Sequence, residues 1–217
     1  MSRTAPPKVI FLDAVGTLFG VQQSVGAMYL NVTRRFGVDA DAKALDRAFY
    51  QSFKSMPFPM AFPDMPVAEI PRKEYEWWEA IARDTFQRAG IYDQFSDFSA
   101  FFAELYAYFA SPEPWFIYPD TIPFLNYWCN QGVDLGVLSN FDTRIHAVLK
   151  ALGLTPYFAS ITISTEVGVA KPDPLIFQAA LSKHNCSPNQ AWHIGDSLQE
   201  DYEGAKTAGM RAIWLKR

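Results

Sequence analysis

The feature that most constrains this chain is the run Val9-Ile10-Phe11-Leu12, four consecutive apolar residues that end abruptly in Asp13, with Gly16-Thr17 close behind. A continuous apolar run of this length fits a strand buried on both faces, as in a parallel sheet, and not the alternating pattern of a half-solvated strand. Open α/β sheets form their ligand sites at the carboxyl ends of such strands, which makes Asp13 the first candidate for chemistry. An isolated Asp after a strand can equally open a turn. The remainder of the chain discriminates between the two.

Beyond Leu18 the pattern turns helical. Residues 22–36, 41–55, 71–89 and 95–110 carry apolar positions at helical spacing, with Gly37 and Gly90 placed as stops. Four helices with no strand between them define an all-α insertion over 21–114. Its aromatic residues (among them Phe49, Phe53, Trp77, Trp78, Phe86, Phe102 and Tyr106) recur at helical spacing, as a bundle core requires. Between the second and third helices, 56–66 is rich in Pro, Met and Phe. Proline excludes helix there, and the apolar content demands a packing partner: either a lid over a pocket or a loop folded onto the bundle.

From residue 115 strands and helices alternate. Strands are expected at 133–138, 161–163, 191–194 and 211–215, and helices at 120–130, 143–152, 174–183 and 199–208. That alternation implies a parallel sheet with right-handed crossovers. The fold class is therefore α/β, a doubly wound parallel sheet built from 1–20 and 115–217, with 21–114 inserted.

Lys and Arg number 19 against 23 Asp and Glu, a net charge of −4, which gives no electrostatic basis for a nucleic-acid or anionic-membrane partner. No apolar run reaches membrane-spanning length, and the N-terminus lacks the apolar core of a secretion signal. Cys129 and Cys186 lie in separate helical regions by pattern, without metal-like spacing, and read as free thiols, so a cytoplasmic location is expected. A small-molecule substrate and a monomer or homodimer fit this profile. His146, His184 and His193 are isolated in sequence and read as packed histidines before catalytic ones.

Ser139, Lys171 and Asp196 share with Asp13 a place at the carboxyl end of a strand or in the loop beyond it, and Asp201 lies in the first turn of the helix after Asp196. A parallel sheet brings all of these to one edge. Asp13, Asp196 and Asp201 gathered there need cations, which Lys171 and a hard divalent ion such as Mg²⁺ would supply.

On these residues the sequence resembles the haloacid dehalogenase-like hydrolase superfamily, in the branch with a helical cap inserted after the first motif. Four ordered motifs carry the resemblance: Asp13-Ala14-Val15-Gly16-Thr17, Ser139-Asn140, Lys171-Pro172-Asp173-Pro174, and Gly195-Asp196 with Asp201. The resemblance implies that Asp13 is the carboxylate nucleophile and a metal ligand. It implies that Ser139 holds a phosphate oxygen, that Lys171 neutralises charge, and that Asp196 ligates Mg²⁺ with Asp201 in support. Ala14, Val15, Gly16 and Thr17 would form the loop around the phosphoryl group, Asn140 would sit beside the substrate, and the Val15 carbonyl would serve as a metal ligand.

One position departs from the phosphatase pattern. Phosphatases of the superfamily carry a second Asp two residues after the nucleophile to protonate the leaving group, and here that residue is Val15. The resemblance then implies an Mg²⁺-dependent hydrolase of a small phosphorylated compound whose leaving group needs no proton. Two relatives that also lack the acid stay open: a 2-haloacid dehalogenase, which needs a cap arginine from among Arg34, Arg35 and Arg47, and a phosphonate hydrolase, for which Lys54 would be the amine. A catalytically weak protein that binds a ligand or partner is the alternative of a different class.

Overall fold

The computed structural model describes residues 6–217, so the first five residues of the expected 1–20 segment, and most of the N-terminal stretch read for a signal, lie outside the described residues. The chain opens with β1 (Val9–Leu12) and a short β2 (Phe19–Val21). Four helices follow: α1 (Val25–Thr33), α2 (Ala42–Lys54), α3 (Ile70–Arg88) and α4 (Phe98–Tyr108). The chain then runs through β3 (Trp115–Ile117), α5 (Thr121–Asn130), β4 (Asp134–Ser139) and α6 (Ile145–Ala151). Next come β5 (Ser160–Ile163), the single turn α7 (Ser164–Val167) and α8 (Pro174–Ser182). It ends on β6 (Ala191–Gly195), α9 (Gly204–Thr207) and β7 (Arg211–Trp214).

The five-stranded sheet has the order β5-β4-β1-β6-β7, and every pair in it is parallel. β1 is central and buried on both faces, as its unbroken apolar run demands. Ile10 and Leu12 pack into one core with Leu135, Val137 and Leu149, while Val9 and Phe11 pack into the other with Ile176, Phe177 and Leu181. The chain winds from β1 outward through β4 to β5, then crosses to β6 and β7 on the other side. The crevice at the carboxyl ends of β1 and β6 is thus the topological switch point, where such sheets place ligands.

Two elements differ from the sequence expectation. β2 and β3 pair antiparallel as a separate ribbon, Phe19 opposite Ile117 and Val21 opposite Trp115, which joins the sheet to the helical segment at both chain crossings. Three-residue strands are too short to show an alternating pattern, so nothing in 19–21 or 115–117 announces them. The expected helix 199–208 begins instead as a wide turn over Leu198–Glu203, in which Tyr202 N donates to Ser197 O at 3.1 Å, before tightening into α9. The wider turn lets the Asp201 carboxylate fold back to accept the Ser197 N–H at 2.9 Å. Cys129 and Cys186 are free, as read, although Cys186 follows α8 and is not in a helix.

The aromatic stripes of α1 to α4 bury one another around Trp77, Phe86, Phe101 and Phe102. The 56–66 segment joins this packing through Met60 and Phe62, and the Met60 carbonyl accepts the Ser164 hydroxyl at 2.6 Å, so the segment is both folded onto the helices and fastened to the sheet. A second tie is Glu74 of α3. Fully buried, it accepts the Thr143 N–H at 2.9 Å and the Thr143 hydroxyl. Removing that carboxylate in Glu74→Ala leaves the partly buried Thr143 N–H and hydroxyl without a partner and should cost about 1–3 kcal/mol, measured as a lower urea midpoint at unchanged slope.

No helix among the described residues is long and apolar enough to cross a membrane.

Candidate active site

Lys171 is the hub of the crevice. Its ammonium, almost wholly buried, donates to Asp13 Oδ1 at 2.7 Å, to Asp201 Oδ1 at 2.5 Å and to the Leu138 carbonyl at 3.2 Å. Burial alone would strip its proton, but the two carboxylates outweigh burial and hold it firmly charged. For Asp201 the balance runs the same way: burial pushes its carboxyl up, and Lys171 together with His193 pulls it well below the usual carboxylate range. Asp13 differs. There burial prevails and raises the carboxyl, with the Lys171 ammonium opposing it and Asp201 adding to the rise.

His193 supports Asp201 from beneath, its Nε2 lying 2.8 Å from Asp201 Oδ1. Burial lowers its pKa, so it is a neutral imidazole, and with Asp201 ionised the Nε2 atom carries the proton. The expectation of a packed histidine holds for its burial but overlooks this contact. The available signal is a His in the strand whose following turn carries both Asp196 and Asp201. His184 and His146 stand apart from the crevice, His184 bonded to Ser160 and Asp134 and His146 to Glu166.

Asp201 has both oxygens engaged, by Lys171 and His193 on one and by the Ser197 N–H on the other. Asp196 has no side-chain partner among the described residues and lies over Gly16, where a Cβ would come within 2.4 Å of its Oδ2. Gly16 is thus required twice, for that approach and for its φ of +86°. Desolvation in the cleft, reinforced by Asp13 and Asp201, pushes the Asp196 carboxyl up to about 6.

The turn after β1 spends its Gly16 and Thr17 amides internally, on the Phe19 and Ala14 carbonyls. The Ala14 and Val15 amides find no acceptor among the described residues, nor does the Val15 carbonyl receive a donor. Of the loop expected around a phosphoryl group, those two amides are the free donors. Thr17 is buried, its hydroxyl has no partner among the described residues, and it does not reach the cavity wall. Ser139 ends β4 beside Asp13 and faces the cavity. Asn140 lines the cavity and also braces the lysine loop. Its Oδ1 accepts the Lys171 N–H at 2.7 Å and its Nδ2 donates to the Lys171 carbonyl at 3.0 Å, so it braces the lysine's backbone.

Asp13, Val15, Ser139, Asp196 and Asp201 open onto a cavity of about 610 Å³ between the sheet and the helices. Phe49, Phe53, Trp77, Trp78, Phe102 and Tyr106 line it, so the aromatic stripes form both the helical core and this wall. Arg34 and Arg35 face solvent, paired with Asp39 and Glu104, Arg47 and Lys54 are exposed, and none of the four is on the wall. The wall's one cation among the described residues is Arg144, whose only signal in the sequence is its place four residues after the Ser139-Asn140 pair. Its guanidinium grips Asp142 through Nε at 2.9 Å and Nη2 at 2.6 Å and lies 3.7 Å over the Tyr106 ring.

The donor set suits a hard divalent cation. Ligand oxygens of Asp13, Asp196 and Asp201 lie within 4.8 Å of one another, and the Lys171 ammonium pairs with Asp13 and Asp201 and leaves Asp196 unpaired. With Asp201 saturated, Asp13, Asp196 and the Val15 carbonyl supply the oxygens left to bind such an ion.

Comparison with known proteins agrees with this architecture. The family model described as haloacid dehalogenase-like hydrolase matches residues 7–209. Haloacid dehalogenase-like hydrolase domain-containing protein 3 of Bos taurus is 32% identical over 206 residues, which is 95% of this chain and 80% of the relative. An HAD phosphatase from Thermococcus onnurineus is 24% identical with a TM-score of 0.63, the match covering 97% of this chain and 86% of that one. L-2-haloacid dehalogenase from Xanthobacter autotrophicus is 19% identical with a TM-score of 0.69, covering 97% and 78%. At these identities the two structures bear on the fold alone. The family match spans nearly the whole chain, from the strand that carries Asp13 to the helix that follows Asp201, and the protein belongs to the haloacid dehalogenase-like hydrolases.

Proposed function

We propose that the protein is an Mg²⁺-dependent phosphohydrolase that works through an aspartyl phosphate on Asp13 and releases a leaving group that needs no proton. The observation that carries this is Asp196, held open over Gly16 beside Asp13 while Val15 stands where a general acid would be. The helices over 25–108 serve as the cap that closes the site. Bound by Asp13, Asp196 and the Val15 carbonyl, Mg²⁺ would supply positive charge against the phosphate oxygens.

The chain's own residues do the rest. Lys171 fixes Asp13 Oδ1 and leaves Oδ2 free to attack phosphorus. As the Oδ2–P bond forms, the bond from phosphorus to the leaving oxygen breaks and its electron pair stays on that oxygen. The Ser139 hydroxyl and the Val15 amide, both on the cavity wall, and the Ala14 amide, which has no acceptor among the described residues, would hold phosphate oxygens as charge builds. Water then attacks phosphorus and frees the Asp13 carboxylate. Asp201 and Asn140 hold Lys171 directly and His193 holds Asp201, so these three are positioning residues for Lys171.

The test is phosphate release from an activated aryl phosphate. Mg²⁺ should stimulate it and Asp13→Asn should lower it by about 10⁴-fold or more. The rival with an observation behind it is the 2-haloacid dehalogenase, since Val15 suits a halide leaving group. Chloride release from a 2-chloro acid without Mg²⁺, with no phosphate release, would establish that rival instead. Gly16→Ala should weaken Mg²⁺ binding by about tenfold or more, because the new Cβ displaces Asp196. A titration of thermal stability against Mg²⁺ measures that change.

A further inference from the structure

Resting on the phosphohydrolase reading, we propose that the substrate is an aryl phosphate monoester, with an extended apolar aromatic body and no second anionic group. Three observations converge on it. The leaving oxygen must depart unprotonated, because Val15 occupies the acid position and the other wall side chains near Asp13 are committed: Ser139 is a hydroxyl, Asn140 is tied to Lys171, and Glu200 accepts the Asn140 Nδ2–H at 3.2 Å. A phenol, with an ordinary pKa of about 10, leaves as its anion far more readily than an alkyl alcohol does.

The second observation is the cavity wall. Its volume of about 610 Å³ exceeds what a phosphate and a small polar stem need, and its far side is built of rings, Trp78, Tyr106 and Phe102 among them. The lip is apolar as well: Tyr50, Phe53 and Phe58 line the cavity and yet are 54%, 44% and 50% exposed. Exposed aromatic residues grouped at a cavity mouth are costly to leave wet and suit an aromatic body passing between them.

The third observation is charge. A carboxylate or second phosphate on the substrate would need a cation, and Arg144 is the wall's one cation among the described residues. Asp142 already takes two of its nitrogens, the Tyr106 carbonyl takes the third at 3.0 Å, and Tyr106 covers its face. The other charged groups on the wall are the acids Asp13, Asp196, Glu200 and Asp201. A dianionic body would meet repulsion without a compensating partner.

The reaction balances as one aryl phosphate and one water giving one phenol and one inorganic phosphate. The P–O(aryl) bond breaks toward the phenolate, which takes its proton from solvent, and the attacking water supplies the oxygen and proton of the phosphate.

The experiment uses the whole protein with Mg²⁺ and three substrates, acetyl phosphate, phenyl phosphate and 2-naphthyl phosphate, together with calorimetric binding of 2-naphthol, which requires no turnover. Expected is a kcat/KM about tenfold higher for the naphthyl than for the phenyl ester. Measurable 2-naphthol binding is also expected, weakened severalfold in Phe53→Ser, a change at a half-exposed position, with folding of the variant checked by an unchanged urea midpoint. A carboxylate added to the phenyl ring should lower kcat/KM. If acetyl phosphate is hydrolysed while the two aryl esters react equally and 2-naphthol does not bind, the substrate inference is overturned and the phosphohydrolase reading stands. If all three phosphates are inert, the phosphohydrolase reading fails and takes the inference with it.

Discussion

Val15→Asp should raise kcat/KM for a simple alkyl phosphate by about 10²- to 10⁴-fold, the usual contribution of a general acid, equivalent to roughly 3–5 kcal/mol of barrier. The position allows it. Val15 is only partly buried and lies on the cavity wall with Asp13 and Asp196, and an Asp side chain fits within the space of Val. A carboxyl placed among those carboxylates is disfavoured as an anion, so it stays protonated at higher pH than a free Asp and can donate. Aryl phosphates should gain far less, because phenolate already leaves unaided. The measurement is the ratio of alkyl to aryl kcat/KM in the two proteins. An unchanged ratio would mean that the leaving group is not protonated from this side.

Lys171→Met should destabilise the protein by about 3–5 kcal/mol and remove most activity. The substitution keeps the length of the side chain and deletes only the ammonium, leaving Asp13 and Asp201 buried and facing each other without their shared cation. In a chain of this size that loss corresponds to a drop in Tm of roughly 10 °C. The activity loss has a separate origin: Asp13 Oδ1 is no longer fixed and the transition-state charge no longer balanced, so kcat should fall by at least about 10²-fold. Urea unfolding and initial rates at saturating substrate separate the two effects. A fully stable, fully active Lys171→Met would contradict the role of the hub.

How much of this was legible in the sequence depended on the range of each signal. β1 announced itself because a strand buried on both faces needs an unbroken apolar run, and Asp13 stood out because that run ended in a charge. Asp196 and Asp201 became readable through the strand that precedes them, since a parallel sheet fixes which end of each strand faces the ligand. The ribbon β2–β3 left no pattern over three residues a side. Asn140 lies on the cavity wall and also binds the backbone of Lys171, a contact across 31 residues that depends on how two loops meet and leaves no local pattern. Arg144 was overlooked because its environment, Asp142 below and Tyr106 above, is assembled from the sheet side and from α4. The helical spacing of the aromatic stripes predicts a core, and they form one, but spacing along a helix does not tell which end of a stripe remains unfilled and becomes a cavity wall.

The central claim is that Asp13 carries the phosphoryl group. A single turnover of aryl phosphate labelled at phosphorus, stopped in acid and mapped by peptide, tests it most directly. The label is predicted on the peptide that contains Asp13, lost on treatment with hydroxylamine and absent from Asp13→Asn. Phosphate released with no label on the protein at any time, or label on a different residue, would contradict the account.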